Sequence, residues 1–128
     1  MQVDKSLNIK VKQKFVKVDA GDEITLVTGD SKIHMKEDGT ITITCQKFIV
    51  KADSLIELES KNNAKMTANN AIDIEAKAKL SAKSAQSTIE GQAQMNVKGA
   101  ITKVEGNAML DLSAGGIASL KGALTKIG

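Results

Sequence analysis

The chain has 128 residues, with 18 lysines against 15 acids for a formal charge of +3, and it holds two Phe but no Trp, Tyr, Pro or Arg. An ordinary domain of this size fills its centre with aromatic and large aliphatic groups. The apolar 41%, mostly Ala, Ile, Leu, Val and Met, therefore predicts a narrow interior or one shared with partner chains, and without arginine forks or aromatic platforms nucleic-acid recognition is not expected.

Taken in chain order, the sequence reads in strands. Leu7, Ile9 and Val11 alternate with polar residues, and so do Ile24 and Leu26; period two is the mark of a strand with one covered face. Ile33 and Met35 alternate up to Asp38-Gly39, and Ile41 and Ile43 alternate away from it. That dipeptide reads as a tight hairpin turn, supplying the positive φ angles such a turn needs. Cys45 extends the alternation and is the single cysteine. It cannot form a disulfide within one chain, and it reads as an inert thiol in a reducing cytoplasm. Ile56 and Leu58 follow. From Ile72 to Ser84 the series Ile72, Ile74, Ala76, Ala78, Leu80, Ala82, Ser84 faces one way and Asp73, Glu75, Lys77, Lys79, Ser81, Lys83 the other. The Ala and Lys content would suit a helix, but strict alternation scatters the apolar groups around a helix, so a strand is expected and no amphipathic helix remains. No apolar run approaches the ~18 residues of a membrane span, and the start MQVDKSLNIK lacks the apolar core of a signal peptide.

A longer period lies on top of the alternation. An aliphatic residue, any residue, then Gly, Ala or Ser recurs at Leu58, Met66, Ile74, Ala82, Ile89, Val97, Val104, Leu112 and Leu120, with steps of 8, 8, 8, 7, 8, 7, 8 and 8. Regular spacing of this kind marks a repeat architecture. A seven-residue step should exchange the two faces, and the inward set does pass from even to odd positions at Ile89 and back to even at Val104. Upstream the element recurs irregularly, at Val18-Asp19-Ala20 and Val50-Lys51-Ala52 and loosely at Leu26-Val27-Thr28. Residues 1–50 are thus expected to form an irregular β region leading through the hairpin into an octad-repeat segment, residues 51–128.

Eight residues make about one strand and one corner, roughly 26 Å if fully extended. The small third residue, Gly91, Gly99, Gly106 or Gly122 in four of the elements, is expected at the corner, where a side chain would strain the bend. Two constructions fit: three octads of one chain closing a coil, or three chains intertwined so that stacked strands come from each in turn. The inward positions include Ser60, Ala64, Ala76, Ser84, Thr102 and Gly106. So small a filling favours the narrow axis of three chains, an all-β, intertwined homotrimeric triple-stranded β-helix, or β-prism. One strand per octad at ~4.8 Å predicts a rod of about 60 to 75 Å, and its non-local pairing predicts slow folding and very slow unfolding.

At this point the octads resemble the triple-stranded β-helix of the cell-puncturing spike of contractile phage tails. The segment Gly29-Asp30-Ser31-Lys32-Ile33-His34-Met35-Lys36-Glu37-Asp38-Gly39-Thr40-Ile41 is similar to the region that ends a VgrG core and enters its needle in type VI secretion. The resemblance implies a homotrimeric needle mounted on the Hcp tube through an N-terminal part lying outside this chain. It implies storage in the cytoplasm and, after sheath contraction, passage across the target membrane into a neighbouring cell or the extracellular space. It also implies a PAAR-repeat protein or effector on the blunt C-terminal end. A β-helix that stops leaves unpaired strand edges and an apolar cross-section, so Leu124, Thr125, Lys126, Ile127 and Gly128 are expected to form the docking surface, against the alternative of a frayed end with no partner.

Catalysis has little to draw on, and no enzyme, cofactor or metal site is expected. His34 is the single histidine and reads as a solvent-facing strand residue with no triad around it. The acids alternate with lysines as a solvated outer face. Ala114-Gly115-Gly116-Ile117 lacks the Asp of a calcium-binding glycine repeat, and the ending LTKIG lacks the His-x-His of an iron-tipped spike. The rival readings are a glycan-cleaving trimeric β-helix and a monomeric or filament-forming β-solenoid.

Overall fold

The computed structural model describes Gln2 and residues 4–128. It is all-β: among the described residues there is no helix, and the only paired strands are β1 (Glu23–Thr28), β2 (Ser31–Lys36) and β3 (Ile41–Thr44). They form one antiparallel sheet in the order β1-β2-β3. The chain divides into two units, residues 1–67 and 68–128, so the sheet shares its unit with the first octads.

Register follows the alternation. Ile24 lies opposite Met35 and Leu26 opposite Ile33, while Ile33 and Met35 lie opposite Ile43 and Ile41 on the other side. All six therefore share one face, since residues two apart along a strand point the same way and paired residues share a side. The other face carries Glu23, Thr25 and Val27, then Lys32, His34 and Lys36, then Thr42 and Thr44.

Two turns close the sheet. Thr28 pairs with Ser31 across Gly29-Asp30, and Gly29 alone takes positive φ, at 52°. A two-residue loop with glycine first and left-handed is a turn whose twist matches its strands. The expected turn at Asp38-Gly39 is present but longer than a two-residue hairpin. The Lys36 amide donates to the Thr40 carbonyl at 3.0 Å and the Gly39 amide to the Lys36 carbonyl at 3.1 Å, so the loop is Glu37-Asp38-Gly39. Only Gly39 is left-handed, with φ 86°. Asp38 instead accepts the Thr40 amide on Oδ1 at 2.9 Å, an Asx bond that holds the loop without a second positive φ.

Beyond the sheet, the backbone runs extended with a change of direction every seven or eight residues. Among the described residues, no backbone amide from Gln46 to Gly128 bonds to a backbone carbonyl. The alternation at Leu7–Val11, Ile56–Leu58 and Ile72–Ser84 accordingly forms no strand pair, and the last of these bends at Lys77-Ala78 in place of running straight. No described residue is buried; the least exposed are Ile24, His34, Met35 and Cys45. The chain exposes 14717 Å², where a compact monomer of its mass would expose about 6,500 Å² and a fully unfolded chain about 20,000 Å².

Candidate functional site: octad corners, uncovered faces and the C-terminal tip

The bends locate the repeat in the backbone. They fall at 61–62, 69–70, 77–78, 85–86, 92–93, 100–101, 107–108, 115–116 and 123–124. Each starts three residues after the aliphatic residue that opens its octad, from Leu58 to Leu120. The two seven-residue steps are reproduced: the bend follows its predecessor by seven at Gln92 and at Asn107, and by eight elsewhere. Asp53-Ser54, after Val50, and Gly21-Asp22, after Val18, keep the same offset.

The four glycines proposed for corners stand immediately before these bends. They do not share one environment. A Cβ on Gly91 would lie 2.8 Å from the Gln94 carbonyl oxygen, and one on Gly106 would overlap the Met109 carbonyl outright. At Gly99 and Gly122 the nearest carbonyls, of Ile101 and Leu124, would stand at 3.2 and 3.3 Å. The two crowded corners close the elements reached by seven-residue steps, those of Ile89 and Val104. Losing one residue tightens the corner, and the absent side chain is what lets the carbonyl three residues on approach. Gly115 and Gly116, which occupy a bend themselves, would meet nothing within 4 Å.

The polar side chains follow the alternation. Lys17 and Asp19 pair at 2.8 Å, and Lys103 and Glu105 at 2.5 Å; partners two residues apart must lie on one side of an extended chain. The intervening Val18 and Val104 then fall on the other side, as the alternation requires. Gln94 donates to Asn96 at 3.2 Å in the same way. At the 85–86 bend, Ser84 Oγ donates to the Gln86 carbonyl at 2.9 Å and shares a short contact with Ser87 Oγ.

At the C-terminal end the last bend is Ala123-Leu124, and Leu124 and Ile127 are each 87% exposed with Leu120 at 74%. Thr125, Lys126 and Gly128 are exposed beside them. The residues expected to form a docking surface thus lie on one short C-terminal segment with its apolar side chains uncovered.

On the sheet, two contacts lay outside the sequence reading. His34 Nε2 meets Glu23 Oε2 at 2.8 Å, leaving the histidine side chain 20% exposed, so it is less open than expected of a solvent-facing residue. The histidine's hydrogen bond, and then its charge, hold the Glu23 carboxyl below the usual carboxylate range, and Asp38 is likewise lowered by hydrogen bonds from the Thr40 side chain and amide. Gln46 Nε2 donates to Asp30 Oδ2 at 2.8 Å, tying the second residue after β3 to the β1–β2 turn. Alternation cannot show either contact, because both join residues far apart in sequence. The Gly29-Asp30 turn was not read from the sequence either, although its glycine-aspartate pair between alternating runs is the signal that marks it.

Cys45 is half-buried and unpaired. Among the described residues no three potential metal ligands cluster, and no helix is long and apolar enough to cross a membrane. No family model, no curated protein and no solved structure matches this chain.

Proposed function

We propose that this chain is the needle region of a type VI secretion spike of the VgrG kind, working by shape and rigidity. Three copies intertwine into a triple-stranded β-helix, the N-terminal side leads toward the Hcp-borne base, and Leu124 to Gly128 of the three chains present a blunt tip for a PAAR cap or effector. The needle waits in the cytoplasm and is driven through the target membrane on contraction.

One observation carries the reading: from Gln46 onward the backbone turns in octads and, among the described residues, bonds to no backbone carbonyl. Backbone amides and carbonyls are obligatory hydrogen-bonding groups, and the alternating apolar residues beside them are uncovered. A single-chain coil would pair each octad with the one three further on. Since no such pair forms within the chain, strands of other copies are the fitting partners, and they would cover the same apolar faces. The exposed area, more than twice that of a compact monomer, supports the same conclusion.

The test is removal of Leu124 to Gly128. The truncated chain is expected to remain a trimer and to lose binding of a PAAR-repeat protein, measured by co-elution on size exclusion. Capping that persists unchanged would refute the tip assignment.

A further inference from the structure

We propose that the apolar face of the β1–β3 sheet is the surface through which copies of this chain first associate, so that the sheet is the nucleus from which the octads wind. The inference rests on the trimeric reading above and adds to it an order of events and a set of residues.

The sheet is the one part of the described chain whose strands bond to each other within the chain. Its contacts are local: two loops of two and three residues join its strands, and hairpins of this kind form in about 1–10 μs, before non-local pairing can begin. The octads have the opposite character, because each of their strands needs a partner from elsewhere. A chain alone can therefore build the sheet and cannot build the rod.

What the chain builds alone is incomplete on one side. Ile24, Leu26, Ile33, Met35, Ile41 and Ile43 share a face whose other strand residues, Thr28 and Ser31, sit at its β1–β2 turn end, and Leu26 on the edge strand β1 stays 58% exposed. Among the described residues none on this face is buried, though Ile24 and Met35 are half-buried. Apolar side chains stabilise a sheet by leaving water, so this face adds its full contribution only when another surface packs on it.

The occupant is a second copy of this chain for two reasons. The excess exposed area of the isolated chain, about 8,000 Å² over a compact monomer, far exceeds the ~800 Å² per partner of a standard interface, so it calls for extensive and repeated partners. The Gln46–Asp30 bond also fixes the second residue after β3 to the sheet. Once sheets meet face to face, the octads of each chain start at the same level, which is the registration an intertwined rod requires. A one-residue slip there would turn every inward residue outward.

The full-length chain is unfolded in guanidinium, diluted, and its recovery of native mass followed by size exclusion with light scattering. Leu26→Lys places a charge on the apolar face, and Val27→Lys places the same charge on the opposite face of the same strand. Leu26→Lys is expected to slow recovery by about tenfold or more, and Val27→Lys by less than about twofold. Leu26→Ala, a milder change, covers the case in which the lysine variant does not fold. It is expected to slow recovery several-fold while leaving the unfolding rate of the assembled trimer within about twofold. Equal rates for the two lysine variants, or a Leu26→Ala effect confined to unfolding, would overturn the nucleus and leave the needle reading standing. An unmodified chain that recovers only as a monomer would overturn both.

Discussion

Within β1, β2 and β3 apolar residues recur two apart and the strands bond to one another; between Gln46 and Gly128 the alternation continues, and among the described residues no backbone amide bonds to a backbone carbonyl. The two regions use the same period and similar residues. What separates them is the turn. Gly29-Asp30 and Glu37-Asp38-Gly39 reverse the chain, each with a left-handed glycine, and so bring neighbouring strands side by side. The octad bends carry no positive φ, so each redirects the chain without folding it back. Period two establishes that a strand needs a neighbour, and the turn decides whether that neighbour is the same chain.

The glycine before the bend offers the largest lever on this contrast. In the octads, Gly106→Ile is expected to impair trimer assembly far more than Thr125→Ile, and even Gly106→Ala should cost about 1–3 kcal/mol per chain, because its Cβ must displace the Met109 carbonyl. Gly116→Ala, with open space around it, should change stability by less than about 0.5 kcal/mol. Denaturant midpoints of the assembled proteins check both. Equal midpoints for the two alanine variants would mean that the corners are not built as described.

A smaller effect sharpens the other half of the comparison. Glu23 and Asp38, both on the sheet, have carboxyls held below their ordinary range. A carboxyl whose folded value lies below its unfolded one adds stability above the unfolded value and loses it as pH falls through the folded value. The sheet's contribution should therefore be constant at neutral pH and fall below about pH 4.5. Glu23→Gln combined with Asp38→Asn should flatten part of that acid limb in thermal melts. An unchanged acid limb in the double variant would show that these two groups do not govern it. Both carboxyls are exposed, so the shift is expected to be modest.

Much of this architecture was legible from residue order. The all-β class, the octads and the two seven-residue steps could be read from the aliphatic-x-small element, because a bend must recur where a repeat recurs, and the backbone bends at a constant offset from it. The three strands of the sheet followed from Ile24 and Leu26, Ile33 and Met35, and Ile41 and Ile43. Less legible was the loop at Asp38: an aspartate before glycine suits a two-residue turn, but its carboxylate can instead accept an amide two residues on, as it does from Thr40, and only geometry separates the two. The His34–Glu23 and Gln46–Asp30 contacts lay beyond reach because register, which brings them together, is set by loop length. Gly91, Gly99, Gly106 and Gly122 share one repeat position that residue order shows, whereas the crowding that separates Gly91 and Gly106 from Gly99 and Gly122 depends on where the following carbonyl points.

The central claim is that the strand edges and apolar faces left open along this chain are closed by two other copies of it. Light scattering after size exclusion measures this most directly. The account predicts a single species near 40.5 kDa, three times the 13.5 kDa of the chain. A stable, folded particle of 13.5 kDa would contradict it, since the octads would then have found their partners within one chain.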